Sequence, residues 1–203
     1  MFYGSVIHYL VAKIFGPLLF NRGWCGWACW TAMILDLLPF DNSEGRVKGL
    51  GKIRYVHFAL SLGMVLGFLY LVGYSVKSQS LNELYWLLCG NAVYYALGIG
   101  LAVWLKDNRA FCKYVCPITT FLKAGSRYSL LKIDGDPDEC VGCGNCTDAC
   151  PMDIKVDEYV RDESRVLSTE CIFCMECVNS CPEGILDVEE GFDTKCKEKL
   201  VKR

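Results

Sequence analysis

Apolar residues fall along this chain in two registers: long uninterrupted runs up to about residue 127, and short, charge-broken stretches after it. From Tyr55 to Val76, 22 residues pass without an Asp, Glu, Lys or Arg, and Leu84–Leu105 is a second such run of 22. As helices each reaches roughly 33 Å, enough to cross a bilayer core. Met1–Phe20 is a third candidate span, interrupted by Lys13 and Pro17. Trp24–Phe40 is apolar too, but it is shorter and contains Asp36, which predicts a re-entrant or interfacial helix. Gly63 and Gly67 form a G-x-x-x-G within the first clear span, a spacing that permits close approach of a neighbouring span or of another subunit.

Charge sharpens this division. Residues 1–134 carry 13 Lys and Arg against 6 Asp and Glu, whereas residues 135–203 carry 8 against 17. Such asymmetry marks parts with different surroundings. Arg46, Lys48, Lys52 and Arg54 precede the first clear span, and Lys106, Arg109, Lys113, Lys123, Arg127 and Lys132 follow the second, while the connection between them offers only Lys77. By the positive-inside rule the basic segments are cytoplasmic. The acidic second half is then cytoplasmic as well, and its charge serves either solubility or long-range attraction of a basic redox partner. Met1 leads directly into apolar residues with no basic n-region, so no cleavable signal is expected.

The two histidines, His8 and His57, lie in different apolar segments. In this topology they sit at different depths, roughly 21 Å of helix separating His8 from the boundary at Arg22, which argues against a shared haem iron. For His57, a quinone contact or ordinary packing is expected. Lys13 is a charge inside an apolar segment and reads equally as a quinone contact or as a snorkelling side chain.

Chemistry concentrates in the 14 cysteines, nine of which follow residue 134. From Cys140 the chain reads CVGCGNCTDACP, and from Cys171 it reads CIFCMECVNSCP. Both are C-x2-C-x2-C-x3-C-P, the run that holds [4Fe–4S] clusters in bacterial ferredoxins, with the fourth cysteine serving the other cluster. Cys140, Cys143, Cys146 and Cys181 are therefore expected at one cluster, and Cys171, Cys174, Cys177 and Cys150 at the other. Zinc would need four-cysteine groups without the crossed fourth ligand. Such ligands must stay reduced, which disfavours disulfide staples. Cys89 and Cys196 have no motif around them and are read as non-ligands.

Four more cysteines fall in a repeat. NRGWCGWACW at Asn21–Trp30 is echoed by NRAFCKYVCP at Asn108–Pro117, 87 positions later. Each C-x3-C pair would present two thiols from one helical turn. Together, Cys25, Cys29, Cys112 and Cys116 would supply four sulfur ligands, with Arg22 and Arg109 offsetting their charge. Trp24, Trp27, Trp30, Phe111 and Tyr114 would keep water out. Packing of small apolar thiols and a thiol–disulfide relay are the alternatives. The shared Asn-Arg-x-aromatic flank favours a third iron–sulfur site.

Residues 128–190 resemble the two-cluster bacterial ferredoxin. That resemblance implies strand pairing between Ser129–Ile133 and Ile185–Val188, with the charged Lys155–Leu167 as a solvated hairpin. Taken with the two C-x3-C motifs and the apolar helices, the chain from about Asn21 to Val188 resembles the membrane polyferredoxins of the NapH, NosR and CcoG types. It departs from them at Trp30, where a proline is expected, and it lacks an appended flavin-binding domain. GLGKIR at Gly49 is no nucleotide-binding loop, and nothing points to nucleic acid.

The expected architecture is an α-helical membrane domain over residues 1–127, an α+β two-[4Fe–4S] ferredoxin-like domain over 128–190 and a charged tail over 191–203. The resemblance implies a subunit in a prokaryotic inner membrane, with its ferredoxin domain facing the cytoplasm. Such a chain would relay single electrons among a cytoplasmic donor or acceptor, membrane and redox subunits of a complex, and the quinone pool. An assembly factor that binds or reduces copper is the alternative from another class.

Overall fold

The computed structural model describes residues 7, 10–40, 45–70, 80–193 and 197–203; His8, Lys77 and Cys196 lie outside them. The apolar segments form seven helices among the described residues: α1 (Val11–Phe20), α2 (Gly23–Trp27), α3 (Trp30–Leu35), α4 (Ile53–Tyr70), α5 (Ser80–Leu105), α6 (Ala110–Tyr114) and α7 (Pro117–Ser126). Pro117 opens its helix, where a missing N–H costs nothing, while Pro17 falls within α1 where a π-helical first part, Val11–Phe15, passes into α-helix. The helices Leu50–Tyr70 and Leu84–Leu105 are long and apolar enough to cross a bilayer. Only 6% and 11% of their apolar windows are buried, unlike the core helix of a water-soluble fold. Nothing lies within 4 Å of a Cβ built on Gly63 or Gly67, so the neighbouring span does not use that G-x-x-x-G.

The sequence repeat is also a structural repeat. α1–α2–α3 and α5–α6–α7 correspond, and they exchange partners: α3 packs on α5, and α7 packs on α1. A Cβ on Gly98 would lie 3.2 Å from Leu35, and one on Gly125 would lie 2.8 Å from Pro17. Trp24–Phe40, expected as one re-entrant or interfacial helix, is instead two short helices broken at Ala28–Cys29.

The second half builds the ferredoxin-like lobe from β1 (Leu131–Gly135), α8 (Asn145–Asp148), α9 (Val156–Arg161), α10 (Glu176–Asn179) and β2 (Leu186–Glu190). The strands pair antiparallel with Ile133 opposite Val188, two residues later than the start expected. Lys155–Leu167 is not a solvated hairpin. Val156, Tyr159 and Val160 share one face of α9, at the i, i+3, i+4 spacing, and enter the core with Ile133, Met152 and Leu186. The segment read as a charged tail also has structure over residues 197–203. Leu200 bridges Ile154 and Lys202 bridges Arg46, so this piece ties the lobe to the loop before α4.

The opposite charges of the two halves meet in the interior. Glu170, 1% exposed, is contacted by Arg22 at 2.8 Å, Arg46 at 3.2 Å, Arg54 at 2.9 Å and Lys123 at 2.7 Å. Close by, the buried Lys113 contacts both Asp107 and Asp153 at 2.7 Å. Several of the basic residues that flank the apolar segments therefore also hold the lobe.

Candidate iron–sulfur sites

In each C-x2-C-x2-C run the chain turns through left-handed residues: Gly142 and Gly144 in the first, Phe173 and Met175 in the second. Such turns curl three cysteines around a common centre, and the helix that follows carries the fourth away. The result is two cavities. One is lined by Cys140, Cys143, Cys146 and Cys181, and the other by Cys150, Cys171, Cys174 and Cys177. Each cavity thus collects three cysteines of one run and the fourth of the other.

The donor chemistry fits cubane clusters. Burial pushes the Cys150 thiol up to about 11 and the Cys171 thiol up to about 12, and it raises Cys174, Cys177 and Cys146 as well. Such thiols lose their protons only against a strong local cation. Among the described residues, no three His, Cys, Asp or Glu side chains converge on a point that could hold a single metal ion. A cubane asks for something else, because its four ligands bind four separate irons.

The C-x3-C motifs are conformational copies. Arg22 and Arg109 precede α2 and α6 with φ of −91° and −95°. Cys25 and Cys112 lie in these helices, while Cys29 and Cys116 cap the next ones in extended backbone, with ψ of 114° in both. The pairs therefore do not share one helical turn as expected; the break turns the second thiol of each pair. Cys25 and Cys112 nonetheless lie in reach of the other thiols. Burial pushes Cys112 up to about 12, and Cys116, Cys25 and Cys29 add to that effect. Burial also raises Cys25, against the opposing pull of Arg22.

The arginines cross between repeats. Arg22 donates to Thr119 Oγ1 of α7 at 3.3 Å, and Arg109 donates to the Cys25 carbonyl at 3.2 Å. Burial alone would lower the Arg22 pKa, but Glu170 and then Cys25, Cys112 and Cys116 raise it. Nε of both Arg22 and Arg109 is buried without a hydrogen-bond acceptor. Two orphaned donors at equivalent places beside four thiols suit an anionic, sulfur-rich group. Cys25, Cys29, Cys112 and Cys116 would hold it.

The first motif lies directly on the second ferredoxin run. The Arg22 amide donates to the Cys171 carbonyl at 3.2 Å, and Trp27 Nε1 donates to the Phe173 carbonyl at 2.7 Å. At Gly26, an added Cβ would stand 2.4 Å from the Ile172 oxygen and 3.6 Å from Cys174 Cα.

The aromatic shield is half as expected. Phe111 and Tyr114 are buried, but Trp27 and Trp30 are exposed. His57 bonds the Val115 carbonyl through Nδ1 at 2.8 Å and approaches the Tyr94 hydroxyl at 3.5 Å through Nε2, so it braces the second motif. Lys13 Nζ sits 5.1 Å above the Trp24 ring. Glu170 belongs to no motif, and its position just before Cys171 is the one signal the sequence offers; Gly26 lies within the first C-x3-C motif, whose spacing gives no sign of its close approach to Ile172. Cys89 is exposed on α5. Cys89→Ser is expected to leave iron content unchanged, and a fall in iron per chain would make Cys89 a ligand.

Comparison with known proteins adds family-level detail. A profile described as a 4Fe-4S dicluster domain matches residues 132–182. A profile described as a 4Fe-4S binding domain matches residues 6–39 and 92–133, the two repeats that carry the C-x3-C pairs. An uncharacterized protein of Methanocaldococcus jannaschii is 29% identical over 149 residues, covering 69% of this chain and 55% of the relative. YccM of Escherichia coli, named as an electron transport protein, is 28% identical over 169 residues, 75% of this chain and 47% of its own. The methylamine utilization ferredoxin-type protein MauN of Methylobacillus flagellatus is 29% identical over 141 residues, 64% of this chain and 48% of its own. The chain thus spans about half the length of these relatives. No solved structure matches it.

Proposed function

We propose that this chain is a membrane-bound iron–sulfur relay that passes single electrons between its ferredoxin-like lobe and a third site at Cys25, Cys29, Cys112 and Cys116. The observation that carries this reading is the seating of the Cys25–Gly26 turn on the Ile172–Cys174 loop. It makes a continuous protein contact from the Cys140 cavity, through the Cys171 cavity, to the C-x3-C thiols. Bound clusters would supply one-electron chemistry at each station. The chain's own part is to supply the thiols, bury them, and set cations beside them.

Membrane location rests on the two long, little-buried apolar helices and on the basic residues at their Arg54 and Lys106 ends. By the positive-inside rule that arrangement supports a lobe facing the cytoplasm at a prokaryotic inner membrane. Electron transport is what one relative's name describes, and the ferredoxin lobe suits it. Redox subunits of a complex and a cytoplasmic donor or acceptor are the implied partners.

A quinone is a second reading for the membrane end. An apolar cleft of about 380 Å³ lies beside Pro117, lined by Lys13, Phe58, Ser61, Leu62 and Phe121. It adjoins the third site, and its exposed lining is apolar, suited to the ring face or tail of a quinone, while the Lys13 ammonium is turned to the Trp24 ring. His57 is turned to the Val115 backbone instead.

The test is iron and acid-labile sulfide counting with an EPR redox titration, on the parent and on the Cys25→Ser/Cys116→Ser double variant. The parent should carry about twelve irons if all three sites hold cubanes, and the variant about eight. One set of signals should vanish while the other two titrate as before. Identical iron content and potentials in both proteins would sink the third site. Copper bound in place of that iron would point to metal handling.

A further inference from the structure

The two repeats are alike in backbone but not in cover. On the second, α4 lies along α7. Tyr114 is 2% exposed and accepts the Val47 amide at 3.0 Å, and His57 clasps the Val115 carbonyl. The basic approach to α4 brings Arg46 and Arg54 to Glu170. A shift of 87 positions carries Tyr114 to Trp27, Pro117 to Trp30 and Leu122 to Leu35. The inner faces agree, since Leu35 and Leu122 are both buried. The outer faces differ: Trp27, Trp30, Met33 and Leu37 are 71%, 77%, 61% and 83% exposed. Among the described residues, no helix lies on α3 as α4 lies on α7.

Exposure alone distinguishes nothing in a chain whose long helices face lipid. The repeat does, because it shows what an equivalent face receives. The rim of the α3 face supplies a second indication. A hollow of about 370 Å³ there is lined by Trp27, Asp36, Arg109, Cys174 and Glu176. Asp36 pairs with Arg109 at 2.5 Å, and Glu176 is exposed. These carboxylates stand where an incoming helix end would lie, as Glu170 and Asp153 do for the start of α4. Helices that cross a membrane usually bear Lys or Arg at their cytoplasmic ends.

We infer that the face formed by Trp27, Trp30, Met33 and Leu37 seats a membrane-spanning helix of a partner subunit. That helix carries basic residues at its cytoplasmic end and takes the place on α3 that α4 takes on α7. The apolar stripe packs against the helix by close contact, and the Asp36 and Glu176 rim receives its basic end. The partner then lies against the Cys174 loop and the first C-x3-C motif, so docking and electron exchange share one surface. The inference rests on the membrane reading, and its test separates the two.

A photo-crosslinking residue is placed at Leu37 of the full-length chain in its own membrane, with Val103 on the outer face of α5 as the lipid control. At Leu37 the expected product is an adduct to another membrane protein, mapping to an apolar segment of helix length flanked by Lys or Arg. At Val103 only lipid should be labelled. Met33→Lys should lose the Leu37 adduct and Met33→Leu should keep it, with iron and sulfide per chain unchanged in both. Should Met33→Lys lose iron, the apolar but bulkier Met33→Trp is read in its place, and retention of the adduct then counts against the docking face. Lipid alone at Leu37, a second copy of this chain, or a soluble protein would each overturn the inference. A chain recovered in the soluble fraction would overturn the membrane reading and the inference together.

Discussion

Replacing Glu170 with glutamine is expected to be the most damaging single change outside the cysteines. The carboxylate is 1% exposed and holds Arg22, Arg46, Arg54 and Lys123, drawn from four separate segments of the apolar first half. Removing one partner of a buried ion pair costs about 3–5 kcal/mol, because the remaining charge stays buried and uncompensated. Here the residual charge is that of a whole cation cluster. Heating the holoprotein in detergent and following its visible iron–sulfur absorbance should show a lower midpoint for Glu170→Gln. Glu170→Asp keeps the charge and should lie between that variant and the parent. An unchanged midpoint for Glu170→Gln would show that the cluster of cations does not hold the lobe.

The same carboxylate fixes the sign of the acid response. Burial alone would raise its pKa, but Arg22, Arg46, Arg54 and Lys123 together hold it well below the usual carboxylate range. A depressed native value means that the unfolded chain binds the proton first. Stability from Glu170 is therefore fully present above the ordinary value of about 4.3, and it is lost as pH falls toward the native value. In Glu170→Gln this part of the acid dependence should be missing.

Gly26→Ala is expected to have the second-largest effect, and on electron transfer more than on iron content. Its Cβ would stand 2.4 Å from the Ile172 carbonyl oxygen, whereas ordinary contact begins at 3.4 Å. The neighbour is backbone, so no rotamer can relieve the clash. The Cys25 turn must back away from the Ile172–Cys174 loop, at an overpacking cost of about 1–3 kcal/mol. Rapid-freeze reduction of the ferredoxin lobe should then show slower appearance of the third site's reduced signal, with iron per chain unchanged. Gly63→Ala, whose Cβ meets nothing within 4 Å, is the control. Equal rates in Gly26→Ala and Gly63→Ala would exclude this contact as the route.

What the sequence revealed and what it concealed divide along physical lines. The ferredoxin runs were legible because ligand spacing is local: the turn that curls Cys171, Cys174 and Cys177 together is encoded within those seven residues. The long helices were legible from apolar pattern, and the strand pair from the resemblance to the two-cluster ferredoxin. The α9 helix was misread because Lys155, Asp157, Glu158 and Arg161 mask a face of Val156, Tyr159 and Val160 that only the fold buries. Glu170 looked like one more solvated acid in an acidic half. Its role depends on four cations between 47 and 148 positions away, and no local pattern encodes such a meeting. The C-x3-C pairs were found by repetition, yet the helix break between their thiols was not: Pro117 disfavours helix at Cys116, but Trp30 stands in the equivalent place after Cys29 and gives no such signal.

The exchange of partners between the two repeats bears on how the chain is made. Cys25 and Cys29 precede both long helices in the chain, but their counterparts follow only after them, and the cover on α1 comes from α7. The four thiols therefore cannot come together until both long helices have been made. A nascent chain stalled after α5 would expose two thiols and the underside of α1, a recognisable signature for quality control. Iron held by all four thiols would therefore report that the two repeats have met.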